Sequence, residues 1–277
     1  MALIHTVLAY TAYYVLELHQ VDAKSAYLNG EFKENKIIYM CLPPGINLTN
    51  DSKLSCRLLH PLYGLRQSGW HWYHKFLKIL QETLGMQQCN VDQAVFYCIQ
   101  GDLLIVVHID DLMIATTSMK LMTIVKAALT KHVHITDSSE LHWVLGIKVE
   151  CNRDNCIRSL SQKQYLETII ACYGSADMKP SATPMEPGVY LTSVQSPKTA
   201  EEFTIMHDKP YCEAIGFLQC ASSRTRPDIT YAMSVLTQFN DNPGPGHWKA
   251  VTKILAYLHG TLDYKLTYGS ANSDLVG

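Results

Sequence analysis

The stretch Leu103–Ala115, LLIVVHIDDLMIA, decides the fold. It is an apolar run broken by one adjacent acidic pair, Asp110–Asp111. Burying a carboxylate in such a run is costly unless it is paired or binds a metal, and two neighbouring ones also repel. The pair is therefore expected at an exposed tip, the turn of a β-hairpin with arms Leu103–His108 and Leu112–Thr116. Both arms are rich in β-branched and large aliphatic residues, the composition of strands buried on both faces. A tight turn lets both carboxylates face one cleft. Two readings stand at this point: a site for a hard divalent cation, since carboxylate oxygens suit Mg²⁺, or an acidic tip solvated by water, since Asp is an ordinary turn residue. A third carboxylate would decide between them.

The chain has 277 residues, 47% of them hydrophobic and 17% charged, enough for a large core in one or two domains. The formal net charge is −2, so no global basic character advertises a nucleic-acid partner. The nine cysteines form no CxxC spacing and are read as reduced, mostly buried thiols rather than zinc ligands. The apolar start, Ala2–Leu16, lacks a basic leader and is too short to span a bilayer. Leu3, Val7, Tyr10 and Tyr14 recur there at helical spacing, so a core helix is expected and no membrane partner.

Beyond it, Leu16–Ala23 reads as a strand closing on Asp22, with a turn at Asn29–Gly30. Ile37–Leu42 is a short strand ended by Pro43-Pro44-Gly45, residues 46–53 are a polar loop, and Leu54–Leu59 is extended. A helix is expected from about Gly69 to Leu84, with Trp70, Tyr73, Phe76, Leu77 and Leu80 as its apolar stripe. Ala94–Ile99 pairs with Leu103–His108. A helix over Met119–Lys131 follows, then a hairpin of Trp143–Glu150 and Cys156–Leu160, then a helix capped by Ser161 and running through Cys172. Five of the eleven prolines fall in Pro180–Pro210, which reads as an extended connector. Helical patterns at Tyr211–Ser223, Asp228–Phe239 and His247–Leu258 complete the chain.

The third carboxylate is Asp22, at the end of its own strand. If the two strand ends are neighbours, three like charges meet, and a cation would relieve the repulsion. Two Mg²⁺ ions would satisfy the cluster and support in-line phosphoryl transfer. The ordered series VDAKSAYLNGEF, IIYM, PPG, LYGLRQSGWHWYHKF, HIDDLMIA, VLGIKV, SQKQYLETII, TPM, TRPDITYAM and HWKAVTKILAYLHGT resembles the reverse transcriptase of Ty1/copia-type retrotransposons over nearly the whole chain.

That resemblance implies an α+β fold, a right-hand polymerase palm of antiparallel sheet with helices on one face. Partial fingers and palm would occupy residues 1–176, the extended Pro-rich connector 177–210, and a helical connection region 211–277. It implies RNA-directed DNA polymerase activity with two Mg²⁺ ions, or Mn²⁺, held by Asp22 and Asp110 with Asp111 supporting. Tyr27 matches the aromatic under the incoming sugar. Tyr63, Gly64, Arg66 and Gln67 match the motif beside the templating base and nucleotide. Leu145 and Gly146 match the hairpin that grips the primer end. His108 would pack on the primer where the family usually has Tyr, and Gly69 stands where Pro is usual. Implied partners are an RNA template, a DNA or RNA primer, deoxynucleoside triphosphates and other parts of the Pol polyprotein, in cytoplasmic virus-like particles. The family's basic fingers segment is expected before the first motif, and a ribonuclease H domain after Gly277. A non-catalytic, nucleic-acid-binding remnant of a decayed element is the alternative reading, and a carboxylate metallohydrolase explains the acids but not the motif order.

Overall fold

A computed structural model describes residues 1–32, 37–43, 45, 54–98, 100–175 and 177–269. In chain order the elements are α1 (Ala2–Tyr13), β1 (Glu17–Ala23), β2 (Tyr39–Cys41), β3 (Ser55–Arg57), α2 (Ser68–Leu84), β4 (Gln87–Gln88), β5 (Val95–Tyr97), β6 (Leu103–His108), β7 (Asp111–Thr116), α3 (Met119–Thr130) and β8 (Ile135–Glu140). Then come β9 (Trp143–Val144), β10 (Ile147–Asn152), β11 (Ile157–Ser161), α4 (Lys163–Tyr173), α5 (Ala200–His207), α6 (Tyr211–Arg224), α7 (Thr230–Leu236), α8 (Pro245–Gly260) and β12 (Leu266–Tyr268). Backbone contacts divide the chain into two compact units, Tyr14–Leu141, and Met1–Tyr13 together with His142–Gly277. The limits of these units fall between residues 13 and 14 and between residues 141 and 142.

The first unit carries a six-stranded sheet in the order β4-β5-β6-β7-β1-β8, every pairing antiparallel. β7 is central, and Leu112 to Thr116 are all buried, as a strand covered on both faces requires. One face packs Val21, Leu103, Ile105, Val107, Leu112 and Ile114 against Trp72, Phe76, Ile79 and Leu80 of α2 and Met122, Val125 and Leu129 of α3. The start of α3 is fixed by Ser118, whose hydroxyl accepts from the Leu121 amide. The Met119 start and the hairpin of β5 and β6 lie where the sequence places them, Ile99 being outside the described residues. The loop at 46–53 is also outside them.

Two helix faces differ from the expected stripes. In α2, Trp70 is 44% exposed while Trp72 is buried, so the core rows run through Trp72, Phe76, Ile79 and Leu80, with His71 buried as well. Trp70 instead lies on His74, ring centroids 4.0 Å apart. In α1, Ile4, Val7, Leu8, Thr11 and Ala12 are buried and Tyr10 is exposed. Nearly every residue of α1 is apolar, so the spacing alone could not choose a face, and phenol hydroxyls favour the wet side. β8, ITDSSE, escapes the pattern reading because four of its six residues are exposed. It is an edge strand, held by backbone pairing to β1 rather than by an apolar face.

The second unit holds a four-stranded antiparallel sheet, β12-β11-β10-β9, with α1 against β11 and β12. Its helical core joins Leu166 and Ile169 of α4, Ile215 and Leu218 of α6, Met233 and Leu236 of α7 and Ile254 and Leu258 of α8. Ser161 closes β11 rather than capping α4; the cap position is Gln162, though the Ser161 hydroxyl accepts from the Lys163 amide at 3.3 Å. The connector is not wholly extended, because Thr199 and Glu202 form a capping box that starts α5. The nine cysteines are free, but none is fully buried, and Cys41, Cys172 and Cys212 are exposed. Among the described residues, no helix is long and apolar enough to cross a membrane.

His247, near the start of α8, is fully buried and stacked on Phe239. Its Nδ1 accepts from the Gly244 amide at 2.8 Å and its Nε2 faces the Thr192 carbonyl at 3.2 Å, an arrangement that needs the neutral ring. Burial holds its pKa below the ordinary 6.5, against the opposing pull of the Thr192 carbonyl. The unfolded chain therefore takes up a proton first as pH falls below about 6.5, and stability drops from there until the folded value is passed. Urea midpoints are expected to fall between pH 7.5 and 5.5, and to fall less in His247→Gln.

Candidate active site

The hairpin of β6 and β7 pairs His108 with Asp111, so the turn consists of Ile109 and Asp110 alone. Asp110 sits on the turn as expected, but Asp111 opens the second strand instead of sharing the tip. β1 runs antiparallel beside β7, and its last pairs place Asp22 directly opposite Asp111. The sheet continues one step further, since the Ala23 amide donates to the Asp110 carbonyl at 2.8 Å. Three carboxylates from two sequence-distant segments thus meet at one end of two adjacent strands. Like charges directly opposite one another weaken a strand pair. The Asp22 carboxyl is pushed above the usual range by burial first, then by the charges of Asp111 and Asp110, with Lys24 pulling the other way.

The acids have polar partners. Gln20 donates to Asp111 Oδ1 at 3.0 Å, and the Tyr63 hydroxyl donates to Asp110 Oδ2 at 2.7 Å. Asp110 Oδ1 is buried with no hydrogen-bond partner among the described residues. A buried carboxylate oxygen left bare is costly, and a hard cation is one group that satisfies it. The donor set, oxygen from three carboxylates, fits Mg²⁺. As the side chains stand, no three His, Cys, Asp or Glu among the described residues close around a metal position.

The tip is held and strained. The Trp72 indole donates to the Ile109 carbonyl at 2.8 Å, tying the turn to α2. Ile109 itself has φ 57°, a left-handed conformation that a β-branched residue rarely adopts. Its side chain is 49% exposed, so little burial is lost on removing it. Ile109→Gly is expected to stabilise the chain by about 0.5–1 kcal/mol, the left-handed strain less the extra unfolded-state entropy of glycine. Urea denaturation measures it, and a destabilised variant would refute the strain.

Around the acids, Tyr27 follows β1 in a 3₁₀ turn, Ala26–Asn29, that ends before Gly30. The Asn29 amide donates to the carbonyls of Lys24 and Ser25, closing the loop that carries Tyr27. Tyr27 and Tyr63 lie ring to ring, centroids 4.5 Å apart and planes 33° apart. Gly64 takes φ +95°, which an L side chain would strain, yet a Cβ there would meet nothing within 4 Å. Its glycine serves the turn rather than a close approach in this structure. Arg66 is exposed and Gln67, half-buried, is the cap position of α2. His108 is exposed at the end of β6. Leu145 (φ 47°) and Gly146 (φ 78°) form the two-residue turn between β9 and β10, in the other compact unit. Two successive left-handed residues match the hairpin turn that suits strand twist, and Arg224 Nη1 donates to the Leu145 carbonyl at 2.9 Å.

The family model described as reverse transcriptase (RNA-dependent DNA polymerase) matches residues 1–187. The chain belongs to the reverse transcriptase family. This reverse transcriptase chain is 32% identical, over its whole length, to the retrovirus-related Pol polyprotein from transposon TNT 1-94 of Nicotiana tabacum, covering 21% of that protein. It is 30% identical over 92% of its length to the Pol polyprotein from transposon RE2 of Arabidopsis thaliana, covering 17% of it. A putative transposon Ty5-1 protein of Saccharomyces cerevisiae is 26% identical, with 91% of this chain and 79% of that protein aligned. The chain thus spans about a fifth of the length of the first two relatives. These matches agree with the Ty1/copia-type order of motifs in the sequence.

Three contacts that shape the site, those of Gln20, Trp72 and the Tyr63 hydroxyl, were not among the sequence expectations. Gln20 was legible in principle: it lies two residues before Asp22, hence on the same strand face, and diagonal to Asp111. Trp72 and the Tyr63 hydroxyl were not, because their contacts with Ile109 and Asp110 bridge 37 and 47 residues of sequence.

Proposed function

We propose that this chain forms the catalytic centre of an RNA-directed DNA polymerase from a Ty1/copia-type Pol polyprotein, with the six-stranded sheet as its palm. The observation that carries the reading is the direct pairing of Asp22 with Asp111 beside Asp110 at the hairpin tip. An arrangement that costs stability through charge repulsion is best explained by the cations it would hold. Asp22 and Asp110 are assigned as ligands of two Mg²⁺ ions, or Mn²⁺, with Asp111 supporting. When bound, these ions supply charge neutralisation at the departing pyrophosphate and lower the pKa of the primer hydroxyl. Tyr27 is assigned to lie under the incoming sugar, where a bulky ring excludes a 2′-hydroxyl. Tyr63, Gly64, Arg66 and Gln67 would border the templating base and the deoxynucleoside triphosphate. His108 would pack on the primer sugar, and Leu145 and Gly146 on the primer end. RNA template, DNA or RNA primer and the remaining parts of a Pol polyprotein are the proposed partners, in cytoplasmic virus-like particles.

The test is primer extension on an RNA template with deoxynucleoside triphosphates and Mg²⁺. It is run on this chain, and on the same chain preceded by a fingers segment from a relative, each as wild type and as Asp110→Asn. Extension that needs the divalent cation and is lost in the variant supports the assignment.

A further inference from the structure

One oxygen of the carboxylate at the hairpin tip is already committed to a protein partner. Asp110 Oδ2 accepts from the Tyr63 hydroxyl at 2.7 Å, and Oδ1 is buried without a partner. The backbone on either side is fixed: the Ile109 carbonyl accepts from Trp72, and the Asp110 carbonyl from the Ala23 amide. The freedom left at this position therefore lies in the Asp110 side chain. Its partner is loosely held. Tyr63 is 51% exposed, its ring rests on Tyr27, and the Gly64 that follows has open space around it.

We propose that Tyr63 is a positioning residue that latches one carboxylate oxygen of Asp110 away from the cations, and that a nucleotide seating against the Tyr27–Tyr63 ring pair releases it. This rests on the metal-binding reading of the three acids. Disturbing the ring pair moves the Tyr63 hydroxyl, frees Oδ2, and lets the Asp110 side chain turn toward Asp22 and Asp111. Cation binding and nucleotide binding are thereby coupled through one hydrogen bond, and the coupling is reciprocal. It would keep the centre from assembling before its substrate is present.

Tyr63→Phe keeps the ring and removes the hydroxyl, and at a half-exposed position the fold is expected to survive. The probe is Mn²⁺ alone, without nucleotide, with free ion counted by electron paramagnetic resonance. Tyr63→Phe should bind Mn²⁺ about fivefold more tightly than wild type, the size of one exposed hydrogen bond. Tyr27→Phe, which leaves the latch hydroxyl in place, should bind as wild type does. Unchanged or weaker binding in Tyr63→Phe, or equal tightening in Tyr27→Phe, overturns the latch while leaving the metal assignment intact. Mn²⁺ binding that is absent, or insensitive to Asp110→Asn, overturns the metal assignment and the latch together.

Discussion

Asp110→Asn is expected to reduce primer extension by at least about 10³-fold while leaving the fold intact. Charge stabilisation by a bound metal contributes several kcal/mol to such a transfer, and each 1.36 kcal/mol is tenfold in rate. The substitution removes the charge but not the shape. The amide oxygen of Asn can still accept from the Tyr63 hydroxyl, as Asp110 Oδ2 does now. Repulsion with Asp22 and Asp111 is relieved, so urea stability should hold or rise slightly. Activity loss with retained or increased stability is the signature of a carboxylate kept for chemistry. Extension within tenfold of wild type would refute the assignment of Asp110. Asp111→Asn, at the supporting position and still able to accept from Gln20, should cost less than Asp110→Asn.

The second large effect lies far from the acids in sequence, in the segment TRPDITYAM. Arg226 is 1% exposed, and its guanidinium is surrounded by partners. It donates to both oxygens of Asp228, from Nε at 3.0 Å and Nη2 at 2.7 Å, and to the carbonyl and hydroxyl of Thr261 at 3.0 and 2.6 Å. The rings of Tyr257 and Tyr264 flank it, and the Tyr257 hydroxyl also donates to Asp228. Removing one partner of a buried pair strands the other charge, at a cost of about 3–5 kcal/mol. Asp228 is partly exposed, its side chain at 32%, so Asp228→Ala is expected near the lower end, about 3 kcal/mol. The double change Arg226→Met/Asp228→Ala should recover part of that loss, because no buried charge remains. Urea denaturation followed by circular dichroism decides it, and a single change costing under about 1 kcal/mol would sink the account. The same pair has a pH signature. Burial would raise the Asp228 pKa, but Arg226 and the Tyr257 hydroxyl outweigh it and hold the carboxyl below 3.8. Its stabilisation is therefore complete above the unfolded value and is lost only as pH falls below about 4.

Local signals carried much of the fold. The apolar run with its acid pair required a hairpin, and the structure has one over Leu103–Thr116. Most helices and strands fall within a few residues of their sequence limits, because breakers such as Pro43, Gly85 and the prolines before Trp248 mark them. Where an element offered no contrast the reading failed. α1 is apolar nearly throughout, so its face was ambiguous, and β8 is polar nearly throughout, so it looked like loop. In α2 both Trp70 and Trp72 are large and aromatic, and only the packing against the sheet chose Trp72.

By itself the sequence determined the family, the acids and their order along the chain, since each depends on residue type and spacing. The tertiary structure alone decided that Asp22 faces Asp111 across a strand pair, and that Tyr63 holds Asp110 while Trp72 holds the turn beside it. The physical reason is separation: these contacts join residues tens of positions apart, and strand register fixes them to a single residue. A one-residue slip of β1 against β7 would send Asp22 to the opposite face, and no local pattern in either strand encodes that choice.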